Sequence, residues 1–133
     1  MIMLGLLILI PVAFVPIFLM DPNGQRAGAY RDQLAVVRFD FSHRTAGSNL
    51  LVTVVGTLTN MSAITWKNAA VEARFFDKSG KLIDVIKAES YSGPIVPAHG
   101  EAAFKVESPA AKPATDYATC KATVKWASDV NWP

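Results

Sequence analysis

Residues 54–80, VVGTLTNMSAITWKNAAVEARFFDKSG, place two apolar-alternating segments on either side of a short polar link and end them in a turn. Alternation of this kind has the two-residue period of a half-buried strand and does not fit a 3.6-residue helical repeat. In the first segment Leu50, Val52, Val54, Gly56 and Leu58 share a face. In the second, Val71, Ala73 and Phe75 oppose Glu72 and Arg74. Asn60-Met61-Ser62 joins them through a turn, since Asn bonds readily to its own backbone. Asp77-Lys78-Ser79-Gly80 closes a hairpin, with Gly where positive φ is needed. Gly56 marks a close backbone approach or a bulge. Trp66 is the large residue expected to fill the space between two sheets.

The same period recurs on both sides. Residues 34–42 read as a strand with Val37, Phe39 and Phe41 on one side and Arg38 and Asp40 on the other, followed by a polar loop over 43–49. Residues 81–88 form the partner of the hairpin. A loop with two Pro and two Gly spans 89–100, a strand covers 101–106, and 107–115 is an extended, exposed connection. Residues 117–126 alternate most cleanly, with Ala118, Cys120, Ala122, Val124 and Trp126 against Thr119, Lys121, Thr123 and Lys125. The expected fold is all-β, an immunoglobulin- or fibronectin-like antiparallel sandwich of about seven strands over residues 34–127, with a tail at 128–133.

Residues 1–20, MIMLGLLILIPVAFVPIFLM, contain no charged side chain. As a helix this run would span roughly 28 Å, close to the bilayer core. Neither a basic leader nor small residues before Asp21 mark a cleavage site, so the expectation is one uncleaved transmembrane helix. Pro11 and Pro16 would kink it and, with Phe14 and Phe18, are candidates for packing against neighbouring membrane helices. Residues 21–33 form a juxtamembrane linker. Tyr30 and Trp132 are candidate interfacial aromatics.

The chain has 133 residues, thirteen Lys and Arg against eleven Asp and Glu, and one cysteine. That length holds one small core besides the anchor. Charge spread so evenly gives no basic stripe for nucleic acid. The single Cys120 permits no internal disulfide and is expected to be a small buried hydrophobe. A copper site is disfavoured because no His or Met follows Cys120 closely. His43 and His99 fall in expected loops. No nucleophile elbow, phosphate-cradling Gly loop or paired carboxylates stand out, so no enzyme activity, metal or cofactor is expected.

V-G-T-L-T-N-M-S (55–62), Trp66, A-R-F-F-D with its K-S-G turn (73–80) and I-V-P-A-H-G-E-A-A-F-K-V (95–106) together resemble the FxLYD-type domains of bacterial envelope proteins, across roughly residues 50–126. Ala73 stands where that pattern has its first Phe. The resemblance implies an extracytoplasmic, often membrane-anchored sandwich without catalytic residues. It places the domain on the periplasmic side of the inner membrane, although Arg26, Arg31 and Arg38 follow the anchor and the positive-inside tendency points the other way. The expected role is an accessory or structural subunit of a larger membrane complex, with the bilayer and other integral membrane proteins as partners. The alternative is an envelope module binding a peptide or small ligand.

Overall fold

The computed structural model describes residues 33–88 and 92–131. They form two three-stranded antiparallel sheets packed face to face. One has the order β1 (Leu34–Ala46), β2 (Asn49–Asn60), β5 (Glu101–Pro109). The other has the order β4 (Leu82–Lys87), β3 (Trp66–Phe76), β6 (Thr119–Asp129). Among the described residues there are thus six strands where about seven are expected. The loop that could have supplied another forms one bridge to β3, Val96 to Trp66, and accepts one further bond, from the Ala69 amide to Pro94 O at 3.2 Å. Pro94 and Pro97 on either side of Val96 have no N–H to extend a ladder. No helix long and apolar enough to cross a membrane occurs among the described residues, and the expected anchor at 1–20 lies outside them.

The core follows the two-residue periods. Val52, Val54 and Leu58 of β2 meet Val71, Ala73 and Phe75 of β3 between the sheets, all at most 1% exposed. Phe104, Val106, Ile86 and Trp66 complete the layer. The inner faces are matched across strands as well as between sheets: Val54 pairs with Phe41 on one side and Val106 on the other. Gly56 sits opposite Phe39 and Phe104. A Cβ there would collide with the Arg38 carbonyl oxygen and lie 2.7 Å from the Phe104 ring, so the close approach expected at this position is present.

Three sequence expectations shift in β1 and β5. The loop over 43–49 shrinks to Gly47-Ser48, because β1 continues to Ala46 and β2 starts at Asn49. Gly47 has φ +60°, as the first central residue of a type II′ hairpin turn requires. A register shift between Val36 and Arg38 leaves Val37 unpaired and 49% exposed, so it does not share the inward face of Phe41. An inserted residue resets the alternation on either side of it. β5 extends to Pro109, taking Glu107 out of the expected connection and into the sheet. The 77–80 turn forms as expected: Asp77 Oδ1 accepts from the Ser79 and Lys81 amides at 2.8 and 3.0 Å, and Gly80 has φ +83°.

Candidate functional site

The six residues singled out in the sequence for membrane contact or helix packing, Pro11, Phe14, Pro16, Phe18, Tyr30 and Trp132, lie outside the described residues. What the fold does present is a sandwich whose two ends and two sides differ chemically.

At one end the chain enters β1, and the Gln33 carbonyl accepts the Met61 amide at 2.7 Å. This end is organised by Asn60, a residue read in the sequence as turn chemistry and here 2% exposed. Its Nδ2 donates to the carbonyls of Ile64, Pro97 and Val96 at 2.6, 2.9 and 3.3 Å. Its Oδ1 accepts from the amide and hydroxyl of Ser62 at 3.0 and 2.7 Å. Ser62 Oγ in turn accepts the indole N–H of Trp66 at 3.2 Å. The 61–65 turn and the 94–100 loop are therefore fixed to one another by buried polar atoms with partners. His99 has φ 52°, and its amide donates to Ser62 O. Met61 and Ile95 nevertheless project outward, 76% and 61% exposed, and Val130, whose amide donates to Thr65 O, is 39% exposed.

The opposite end is charged and aromatic. Tyr117 Oη donates to Asp84 Oδ2 at 2.6 Å, and the Ala111 amide donates to the same oxygen at 3.0 Å. This tie folds the 110–116 connection back onto β4. Burial first, and then the hydrogen bond to Asp84, push the Tyr117 hydroxyl up to about 12. Tyr117 stacks edge-to-face on His43 and Phe75, and each of these stacks edge-to-face on Phe41, with ring centroids 4.6–6.1 Å apart. His43 was expected in a solvated loop. It lies in β1 two residues after the inward Phe41, and its Nε2 is buried without a hydrogen-bond partner among the described residues. The parity with Phe41 is the sequence signal for that placement, hidden by the polar neighbours Arg44 and Thr45. An open depression of about 650 Å³ at this end is lined by Asp77, Lys78, Ser79, Lys81, Ile83, Lys112, Thr115 and Asp116.

On the outward face of the first sheet, Glu107 accepts from Arg44 through both guanidinium contacts, at 2.6 and 3.0 Å, and from Thr53 Oγ1 at 2.6 Å. The Arg44 bond first and the Thr53 bond second pull the Glu107 carboxyl down to about 2. On the second sheet Glu72 accepts from Arg74 at 2.8 Å and lies 3.5 Å from Lys125. The sequence places Glu72 on a solvated face and Glu107 in an exposed connection but does not show their partners, since each partner lies on another strand or two residues away.

Along the sides, β1 lies against β6 and β4 against β5. The β4–β5 side holds a depression of about 430 Å³ between Val71, Lys87, Gly93, Phe104 and Val106. On the β6 side, Cys120, Ala122 and Val124 pack against the core but stay half-buried. Burial raises the Cys120 thiol to about 11, which keeps it protonated and weakly nucleophilic at neutral pH. Among the described residues no three His, Cys, Asp or Glu side chains converge as a metal site.

No family model and no curated protein matches the chain. Among solved structures it is similar to an X-ray structure of the Northeast Structural Genomics Consortium target SoR45, at 11% identity and a TM-score of 0.41, over 77% of this chain and 91% of the other.

Proposed function

We propose that this chain is a non-enzymatic, single-pass membrane protein whose β-sandwich serves as an accessory or structural subunit of a larger membrane complex. In this reading the sandwich lies on the extracytoplasmic side of the inner membrane and is an FxLYD-type, immunoglobulin-like domain. The observation that carries it is the uncharged run at residues 1–20, joined by the thirteen polar-rich residues 21–33 to a sandwich whose first strand begins at Leu34. A stretch of that length and composition matches the hydrocarbon thickness of a bilayer.

The use made of the polar side chains supports a structural role. Asp84 is committed to Tyr117 and the Ala111 amide, Glu107 to Arg44 and Thr53, Asp77 to its own turn, and Ser62 to Asn60 and Trp66. Each secures an element. The strand order supports the immunoglobulin-like reading: β1-β2-β5 and β4-β3-β6 correspond to strands A-B-E and C′-C-F of that architecture, without, among the described residues, the strand that would flank β6.

The test is extraction of membranes from cells producing the full chain. Membrane association that survives alkaline carbonate, together with migration in a mild detergent as part of a larger assembly, is the expected result. Recovery as a soluble protein removes the anchor, and recovery as a lone detergent-solubilised monomer removes the accessory role.

A second reading, an envelope module that takes up a peptide as an added strand, is favoured by the edge position of β6 and the half-buried state of Cys120, Ala122 and Val124. Main-chain bonds would supply affinity, and the outward Lys121 and Lys125 would favour an acidic strand. Slower amide exchange across β6 on adding acidic strand-forming peptides is the expected sign. Unchanged β6 exchange at saturating peptide rejects it.

A further inference from the structure

We infer that the end of the sandwich carrying Met61, Ile95 and Val130 rests on the membrane surface, so that the domain stands upright on the bilayer with its charged end in water. This orientation rests on the anchored reading above and adds a lipid-contacting surface to it.

Two features of that end are unusual for a soluble surface. The first is its composition: the described residues of its turn and loops, 61–66, 92–100 and 130–131, contain no Asp, Glu, Lys or Arg, while Arg31, Asp32 and Glu89 lie outside the described residues. At the other end, residues 77–81 and 110–118 carry Asp77, Lys78, Lys81, Lys112 and Asp116. The second is the exposure of three of its apolar side chains, 76% for Met61, 61% for Ile95 and 39% for Val130. Isolated exposed apolar residues are ordinary, but several in one charge-free zone mark a contact surface.

The backbone that carries these side chains is also held in place. Met61 follows Asn60 and bonds to Gln33, Ile95 precedes the Val96 bridge to Trp66, and Val130 bonds to Thr65. A fixed apolar tip loses little conformational entropy when it enters an interface. The strands restore charge immediately behind it, with Lys67, Glu101 and Asp129 near the β3 and β5 starts and the β6 end. An apolar tip with a polar collar suits the boundary between headgroups and acyl chains.

Lipid is the occupant because the chain enters the sandwich at this end, where the Met61 amide donates to Gln33 O, directly after residues 1–32. Residues 21–32 can reach about 40 Å at full extension. That length permits the domain to stand off the bilayer, so contact depends on the chemistry of the tip and can be removed by changing it.

The experiment uses the full chain in phosphatidylcholine–phosphatidylglycerol nanodiscs, in a Cys120→Ala background, with an environment-sensitive fluorophore on Met61→Cys, Ile95→Cys or Lys78→Cys. All three positions are exposed, so labelling leaves the core intact. Lipids spin-labelled near the headgroup should quench positions 61 and 95 several-fold more than position 78, with a blue shift at 61 and 95 alone. Equal quenching at all three, in chains that co-elute with nanodiscs, overturns the upright orientation while leaving the anchor standing. Chains that elute free of nanodiscs overturn the anchored reading itself. Shielding of 61 and 95 in native membranes without quenching in pure-lipid discs assigns the tip to a protein partner and overturns lipid contact.

Discussion

Asn60 and His43 are opposite cases of a polar side chain inside an apolar sandwich. Every polar atom of the Asn60 amide has a partner, and its three carbonyl acceptors belong to two different loops. Asn60→Ala removes five hydrogen bonds at once: the Val96, Pro97 and Ile64 carbonyls keep only the Trp66 amide, the Gly100 amide and the Ser62 hydroxyl, respectively, and the Ser62 amide loses its acceptor. It should therefore cost about 3 kcal/mol of unfolding free energy, read as a lower denaturant midpoint at unchanged slope. Asn60→Asp should be no better at neutral pH, since a carboxylate has no N–H to donate to three carbonyls. The same burial argues that Asn60-Met61-Ser62, although an acceptor pattern for glycosylation, carries no glycan in the folded chain. His43 has the reverse problem, a buried Nε2 without a partner among the described residues. His43→Leu removes that atom and keeps an apolar side chain against Phe41 and Tyr117. The expected outcome is unchanged stability or a gain of about 1 kcal/mol, measured by thermal unfolding.

At the scale of elements, β2 is the strand on which its sheet depends, because β1 and β5 pair only to it. Its narrowest point is Gly56, where Phe39, Phe104 and the Arg38 carbonyl occupy the space of a side chain. Gly56→Ala must push backbone aside to fit a methyl group and should cost about 2 kcal/mol. The loss should come with altered amide exchange at the neighbouring β1 and β5 positions. This site was legible in the sequence, because a Gly on the inward face of a clean alternation leaves a gap that a close-packed core must fill from a neighbouring strand. The Val37 bulge was not, since inserting one residue changes no local propensity and shows only when β1 is matched to β2. Among the described residues six strands form where about seven are expected for a related reason: the prolines flanking Val96 limit pairing to one bridge, a consequence visible only once Trp66 is its neighbour.

For the molecule as a whole, Glu107 on the acid side, together with Glu72 and Asp77, and Tyr117 on the alkaline side, together with Cys120, link folding to pH. Glu107 has an ordinary value of 4.5 that folding lowers to about 2. Its contribution is complete above pH 4.5 and drains away as pH falls toward 2, because protonation in the unfolded chain then competes with the Arg44 and Thr53 bonds. Tyr117 moves from 10.0 to about 12. Its contribution is complete below pH 10 and is lost as pH rises toward 12, where the unfolded chain ionises first. Glu107→Gln should make the acid limb of a stability–pH profile shallower, and Tyr117→Phe the alkaline limb, each leaving the other limb in place. Chemical denaturation at a series of pH values checks both. The distribution of charge between the two ends acts at the same scale, since neither loop set alone distinguishes one end of the sandwich from the other.

The sequence by itself determined the strand faces of β2, β3 and β6, the 77–80 hairpin, Trp66 as core and the approach at Gly56. All of these depend on two-residue periodicity or on backbone preferences within a few residues. Only the tertiary structure decided the burial of Asn60, the pairing of Tyr117 with Asp84 and of Glu107 with Arg44, and the inward turn of His43. Those bonds join positions 33 and 63 residues apart, or loops 36 and 37 residues from Asn60. The gathering of Met61, Ile95 and Val130 at the end where Gln33 enters has the same origin. The residues of that end come from four separate stretches, and their shared lack of charge has meaning only after folding brings them together.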